Sequence, residues 1–214
     1  MNVGNRMTKN PFAVKKSVSV SDAREIMKKE KIHRLPVIDD QGRLVGIITE
    51  KDILYSSPSP ATTLDVWEMS ALLAKLTVGE TMTAKPVFCG ADIPVEEAAR
   101  LMSDNDIGGL PVVEDGILVG IITESDIFEI FIELFASRDK GLRLTFLAPD
   151  QHGELASLAG AIRDAGGDIL SFGFVRGENP TNRLGVTKVS GLSRKALLHA
   201  VKPFVLEVKD IRET

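Results

Sequence analysis

Two short motifs carry the carboxylates best suited to ligand chemistry, Thr49-x-x-Asp52 and Thr123-x-x-Asp126. An aspartate in the first turn of a helix can accept hydrogen bonds from both hydroxyls of a ribose, while a threonine hydroxyl and free helix N–H groups suit a phosphate. Sugar and phosphate would then be held together. The same spelling is also a helix capping box, which needs no ligand, and capping is the commoner explanation of the motif taken alone. Both roles can coexist, because the cap orders the turn that presents the aspartate. Catalytic chemistry is poorly supplied. Cys89 has no histidine near it in sequence, His33, His152 and His199 are scattered, and no GxSxG elbow, Walker A loop or GxGxxG fingerprint occurs. Cys89 beside Phe88 reads as a buried small hydrophobe. One cysteine and three histidines do not make a clustered zinc site. The chain is therefore expected to be a non-enzyme, with no catalytic cofactor and no metal.

Both motifs close a duplicated stretch. LPVIDDQGRLVGIITEKDI at 35–53 returns, one residue shorter, as LPVVEDGILVGIITESDI at 110–127. The match runs back through Ile32 and Ile107, Met27 and Met102, and Ala23 and Ala98, to Met7-Thr8 and Met82-Thr83. The repeat is about 75 residues long, so any chemistry in this half should be sought twice. In each copy apolar residues at helical spacing (Val20, Ala23, Ile26, Met27; Val95, Ala98, Leu101, Met102) predict an amphipathic helix, with Pro94 suited to the opening turn of the second. Two β-rich runs follow, at 35–38 and 44–49 in the first copy, across a turn of hairpin composition at 39–42 that tightens to Glu114-Asp115-Gly116 in the second. A further helix follows Thr49 and Thr123. The unit reads strand, helix, strand, strand, helix. Between the copies, Ser57-Pro58-Ser59-Pro60 breaks the chain, and Leu64, Trp67, Met69, Leu72, Leu73 and Leu76 predict a packed linker helix over 57–78.

The third segment follows the polar junction 138–141. It predicts a strand at 142–147, a turn at 149–153, a helix with Leu155, Leu158, Ala159 and Ile162 on one side ending at Gly166-Gly167, and strands at 169–175 and 184–189. Ser193 caps a second helix carrying Leu197, Leu198 and Val201, and 205–211 alternates as a last strand. The order βαββαβ is ferredoxin-like, an arrangement that implies no function by itself.

The bulk properties set outer limits. At 214 residues and 43% hydrophobic content, the chain can hold one large or two modest domains. A net charge of −4 offers no general attraction to nucleic-acid backbones, and the longest basic run, Lys28-Lys29-Glu30-Lys31, is broken by a carboxylate. A single cysteine forms no internal disulfide, the N-terminus leads straight into the first repeat without a signal-like segment, and no apolar run approaches the roughly 18 residues of a membrane span. The expectation is a cytoplasmic protein without membrane or nucleic-acid partners.

The paired pattern of a small or apolar residue before Pro-Val, then Gly-Ile-Ile-Thr with Asp three residues on, resembles two CBS motifs forming a Bateman module. The resemblance covers residues 1 to about 135. It implies motif 1 at 1–56, motif 2 at 79–137, and two clefts related by a pseudo-twofold axis. Such clefts bind adenosine-containing regulatory ligands such as AMP, ADP, ATP or S-adenosylmethionine. Carried onto this chain, the family pattern names Thr123, Asp126, Thr49, Asp52, Leu35, Pro36, Leu110, Pro111, Thr8 and Thr83 as ligand-contacting positions. Pro36 and Pro111 also serve simply as strand-entry devices, and Gly46 and Gly120 permit either close backbone approach or an ordinary bulge.

The copies diverge just before that proline, His33-Arg34 against Gly108-Gly109. In modules of this type a basic residue here reaches the phosphates of the ligand held by the other motif's aspartate. The resemblance therefore implies that His33 and Arg34 enter the Asp126 cleft, while the Asp52 cleft faces two glycines. The alternative is an exposed strand entry.

Over 142–212, Asp150-x-x-Gly153-x-Leu155 followed by a helix resembles an ACT domain, with amino-acid or other small-effector contacts at Asp150, Gln151 and Gly153. Capping by Asp150 or His152 explains the same residues. Two CBS motifs and an ACT-like domain together resemble the AcuB group of acetoin-utilisation accessory proteins. That implies an α+β regulatory homodimer acting on some other enzyme. An interaction scaffold with empty clefts is the alternative from another class.

Overall fold

A computed structural model describes residues 1–56 and 75–214, which form two units, Met1–Ile127 and Phe128–Thr214. The expected linker helix lies, apart from its last residues, outside the described residues.

The first copy comprises β1 (Thr8–Lys9), α1 (Val20–Glu30), β2 (Arg34–Ile38), β3 (Leu44–Thr49) and α2 (Glu50–Ser56). The second comprises α3 (Val78–Thr81), β4 (Thr83–Ala84), α4 (Val95–Asn105), β5 (Gly109–Glu114), β6 (Ile117–Thr123) and α5 (Glu124–Leu134). The Ser19 hydroxyl caps α1 by accepting the Asp22 N–H at 3.0 Å. Val20, Ala23 and Met27 of α1 are buried, as are Val95, Ala98 and Met102 of α4, so the two helices bury equivalent stripes. Each helix ends on a residue in the left-handed region, Lys31 at φ 55° and Asp106 at φ 53°.

The copies do not close on themselves. One three-stranded sheet runs β2-β3-β4 and the other β1-β6-β5, so the short first strand of each copy joins the hairpin of the other. Gly46 pairs with Ala84, and Lys9 with Gly120. The exchange explains both glycines: a Cβ on Gly46 would lie 2.3 Å from Met82 Sδ, and one on Gly120 would lie 2.3 Å from Met7 Sδ. Each makes room for the methionine that precedes the incoming strand.

Backbone bonds repeat the exchange. Val3 N–H donates to the Ile93 carbonyl at 2.9 Å, and its counterpart Val78 N–H donates to the Val18 carbonyl at 2.8 Å. The hairpin turns also meet, with Leu44 N–H donating to Gly116 O and Leu118 N–H to Gly42 O. Val78 from the second copy sits in the first copy's core with Val20, Met27, Leu35 and Ile48. The prolines fall on strands β2 and β5 at the sheets' outer positions, where the missing N–H leaves no ladder bond unmade. Their carbonyls are used, accepting from Val14 N–H at 3.0 Å and Cys89 N–H at 3.1 Å.

The second unit carries β7 (Leu142–Pro149), α6 (Glu154–Asp164), β8 (Asp168–Arg176), β9 (Asn182–Ser190), α7 (Arg194–Val201) and β10 (Glu207–Glu213). Its antiparallel sheet has the order β10-β7-β9-β8, the ferredoxin-like arrangement expected from βαββαβ. Phe146, Leu144, Leu158, Ile162, Leu197 and Val201 form its core. Gly153 precedes α6 at φ 83°, and no side chain caps that helix, so neither Asp150 nor His152 has the capping role. Lys188 is 3% exposed, and its Nζ donates to the Ala136 carbonyl at 2.9 Å.

Candidate functional site

Strand β3 ends on Thr49 and α2 begins at the next residue, which sets the threonine just ahead of the helix. Thr49 N–H and Oγ1–H both donate to Asp52 Oδ2 at 2.8 Å, and Asp52 N–H donates back to Thr49 Oγ1 at 3.2 Å. In the second copy Thr123 N–H and Oγ1–H both donate to Asp126 Oδ2 at 2.7 Å. The capping box is therefore complete in the first copy, while in the second only its aspartate half is formed, with no return bond from Asp126 N–H among the described residues. Each threonine hydroxyl already spends its one O–H in a hydrogen bond to the aspartate. It can accept but not donate to a phosphate, which corrects the role expected for it. The donors converge on one carboxylate oxygen. Among the described residues Oδ1 of Asp52 and of Asp126 accepts nothing, and both side chains are half-buried. An ionised carboxylate has about four lone-pair directions, so the second oxygen is left for a bidentate polar ligand.

A cleft stands over each carboxylate. The Asp52 cleft, about 550 Å³, is lined by Ile47, Thr49, Asp52, Thr83, Lys85 and Val87, and by 105–109 from the end of α4. The Asp126 cleft, about 370 Å³, is lined by Thr8, Phe12, Ile121, Thr123 and Asp126, and by 31–34 from the end of α1. Because β1 and β4 are exchanged, each cleft takes a strand from one copy and a helix start from the other. Thr8 belongs with Asp126 and Thr83 with Asp52.

His33 and Arg34 line both clefts, as does Gly108, while Gly109 lines only the Asp52 cleft. The expected one-sided partition is corrected: a long side chain on the shared wall reaches either side. His33 Nδ1 and Glu50 Oε2 are 2.8 Å apart, at the start of α2. Arg34 instead lies against the two glycines, where a Cβ on Gly109 would be 2.2 Å from Nη1 and one on Gly108 would be 2.7 Å from Nη2. Partial burial lowers the guanidinium pKa and the Glu124 charge opposes that shift, which leaves an arginine fully protonated at neutral pH.

Leu35 and Leu110 are 0% exposed and point into the core, and Pro111 is also buried. None of the three forms a cleft wall. Strand alternation turns the leucines inward, whereas Pro36 lines the Asp126 cleft. Sequence reasoning missed Phe12, Lys31, Lys85, Val87, Asp106 and Glu124. The signal was present in the repeat, since Phe12 answers to Val87 and Lys31 to Asp106 at the same offset as the two threonines. Burial pushes the Cys89 thiol up to about 11, with Asp92 adding to the shift, so it is a protonated core residue. Among the described residues, no grouping of three His, Cys, Asp or Glu side chains could hold a metal, and no helix is long and apolar enough to cross a membrane.

In the second unit, Asp150, Gln151 and Gly153 line a cavity of about 770 Å³ with Glu154, Phe174 and Arg183. Asp150 is engaged on one side only: its Oδ1 takes a bond from Arg183 Nε at 2.7 Å, and among the described residues its Oδ2 accepts nothing. Glu154 Oε1 is buried with no hydrogen-bond partner.

The CBS-domain family model matches residues 3–58 and 78–133, just over half of the chain. The chain belongs to the CBS-domain family. A CBS domain-containing protein of Dictyostelium discoideum is 34% identical over 129 residues, covering 60% of this chain and 89% of its own length. Other relatives are far longer: the chain spans 34% of an inosine-5′-monophosphate dehydrogenase of Nitrosopumilus maritimus, at 29% identity over 82% of this chain. Among solved structures, a Vibrio cholerae protein named for acetoin utilization (AcuB) superposes with TM-score 0.54 at 29% identity, over 64% of this chain and 95% of that one. CBSX2 of Arabidopsis thaliana in complex with AMP gives 0.53 at 35%, over 61% and 96%. The MJ0100 CBS pair with 5′-methylthioadenosine and S-adenosyl-L-methionine gives 0.52 at 31%, over 65% and 98%. The CBS pair of this chain thus has the α+β architecture of proteins solved with adenosine ligands.

Proposed function

We propose that the CBS pair is a non-catalytic sensor of adenosine-containing ligands, AMP, ADP, ATP or S-adenosylmethionine, one in each cleft. The observation that carries this reading is the division of labour within each carboxylate. Oδ2 of Asp52 and Asp126 completes the helix cap, and Oδ1 is left to accept from a ribose. Phe12 and Val87 offer apolar surface for a base, and the cationic Lys31, Lys85 and Arg34 attract a phosphate. The relatives solved with AMP and with methylthioadenosine and S-adenosylmethionine support the same ligand class.

The ferredoxin-like unit is read as an ACT-like effector domain within a homodimer. Its effector would be an amino acid, with Glu154 Oε1 and the second oxygen of Asp150 as the acceptors for the ammonium group. Ligand-dependent packing of the CBS pair would bias that unit and thereby a cytoplasmic partner enzyme, in acetoin or related carbon metabolism. Such coupling requires the ligand to bind two states differently.

A thermal-shift panel of adenine nucleotides, S-adenosylmethionine and amino acids tests this directly. A ligand at a hundredfold excess over its dissociation constant stabilises by about 2.7 kcal/mol. An interaction scaffold with empty clefts is favoured instead by the exposed Phe128, Phe131 and Leu134 on α5, and it gives no shift with any adenosine compound.

A further inference from the structure

Pseudo-symmetry predicts two basic residues, one from each copy, at the wall between the clefts. The second copy has Gly108-Gly109 there, so one guanidinium stands where two equivalent side chains would. The glycines do more than withhold a charge. With no Cβ, they open the space in which the Arg34 guanidinium lies, within 2.7 Å of both would-be Cβ positions. Arg34 lines the Asp52 cleft and the Asp126 cleft alike, and among the described residues it makes no hydrogen bond. Its five donors are unspent. The other residue shared in this way with a polar side chain, His33, is already engaged with Glu50.

Resting on the reading of the clefts as adenosine sites, we infer that Arg34 is a single phosphate-binding group shared by both. A phosphorylated adenosine in one cleft then weakens the binding of a second in the other. The first phosphate draws the guanidinium to its side and forms charge-assisted hydrogen bonds with it. The second arrives with no arginine of its own. An adenosine ligand without a phosphate makes no claim on Arg34, so its two clefts fill independently. The module would therefore distinguish phosphorylated from unphosphorylated ligands by how the sites interact as well as by affinity. Over a range of AMP in which a symmetric pair would fill completely, this one stays singly occupied.

Calorimetric titration of the full chain tests the inference with AMP and 5′-methylthioadenosine as probes. The proteins are wild type, Asp52→Asn and Asp126→Asn, each with and without Arg34→Gln; the asparagine variants keep the capping oxygen and weaken one cleft at a time, so the tighter step of each reports the affinity of the other cleft. With AMP, the second wild-type step is expected to be about tenfold weaker than the weaker single-cleft affinity, the cost of one charge-assisted contact. With 5′-methylthioadenosine, the wild-type isotherm is the sum of the two single-cleft isotherms. In the Arg34→Gln background AMP binds more weakly to each cleft and its isotherm also becomes additive. An additive AMP isotherm with Arg34 intact overturns the shared-arginine inference and leaves the sensor reading standing. Non-additivity that persists in Arg34→Gln overturns it as well. If neither probe binds any protein, it is the adenosine reading that falls.

Discussion

Asp126 is assigned two tasks, and one pair of substitutions separates them. Asp126→Ala removes the acceptor of two bonds, from Thr123 N–H and Oγ1–H, both 2.7 Å long. Losing a helix cap of this kind costs about 1–2 kcal/mol. For a unit of this size that is a fall of roughly 4–8 °C in its melting temperature. Asp126→Asn keeps an amide oxygen for the same two donors and loses only the charge, so its cost should stay below about 1 kcal/mol. The ligand responds differently. A ribose bound at Oδ1 loses a charged acceptor in both variants, and hydrogen bonds to charged groups contribute about 1.5–3 kcal/mol. AMP affinity at that cleft should therefore fall roughly tenfold or more in Asp126→Asn as well as in Asp126→Ala. Scanning calorimetry gives the stability and isothermal titration gives the affinity. Asp126→Asn with wild-type AMP affinity would sink the ribose argument, and Asp126→Ala with wild-type melting would sink the capping argument.

Other consequences follow from particular contacts. Gly46→Ala places a methyl 2.3 Å from Met82 Sδ and should destabilise by about 1–3 kcal/mol in urea unfolding; adding Met82→Ala should restore part of that, and purely additive losses would refute the interlock. Lys188→Met keeps the apolar stem and removes one of the two bonds to the buried Ala136 carbonyl, which still accepts from Asp139 N–H at 3.0 Å, so the expected loss is only about 0.5–1.5 kcal/mol by the same measurement. The Cys89 thiol, held near 11, should resist alkylation at pH 8 in the native protein and react readily in denaturant. Its sign in stability is fixed: the unfolded thiol ionises first, near its ordinary value, so this contribution is fully present below that pH and is lost as pH rises toward 11. Cys89→Ala should flatten the alkaline limb of the stability curve.

The periodicities that were strong in sequence gave elements of the expected type. The α1 and α4 stripes and the two hairpins recur at the same spacing in two copies, which makes the pattern visible without tertiary context. The exchange of β1 and β4 was invisible for a physical reason. Each strand is two residues long, too short for any alternation to show, and its pairing is decided by Met7 and Met82 docking on glycines more than 30 residues away in sequence. The fate of Arg34 was hidden for a related reason. Sequence places its backbone on one strand, but a side chain of that length spans a wall shared by two clefts, and the space it enters is defined by an absence of atoms at Gly108 and Gly109. The Asp150 partner, Arg183, was hidden because it lies across the sheet, and only the β7 and β9 register brings the two together.

The exchange also changes what the duplication means. A single copy supplies a carboxylate on a capped helix and a hairpin, yet the strand beside that carboxylate comes from the other copy, as does the helix end opposite. Neither copy can close a cleft alone, so a substitution in one copy is felt in both sites. Gly108-Gly109 illustrates this: on the second copy it empties one wall of the Asp52 cleft, and by admitting Arg34 it also sets the charge available to the Asp126 cleft. Gly109→Ala would leave every charged residue in place and still crowd the guanidinium at 2.2 Å. If position rather than mere presence of Arg34 governs phosphate binding, this neutral substitution should alter AMP affinity in both clefts while leaving 5′-methylthioadenosine affinity unchanged, as measured by titration. Equal changes for the two ligands would mean that the glycines act through the strand and not through the arginine.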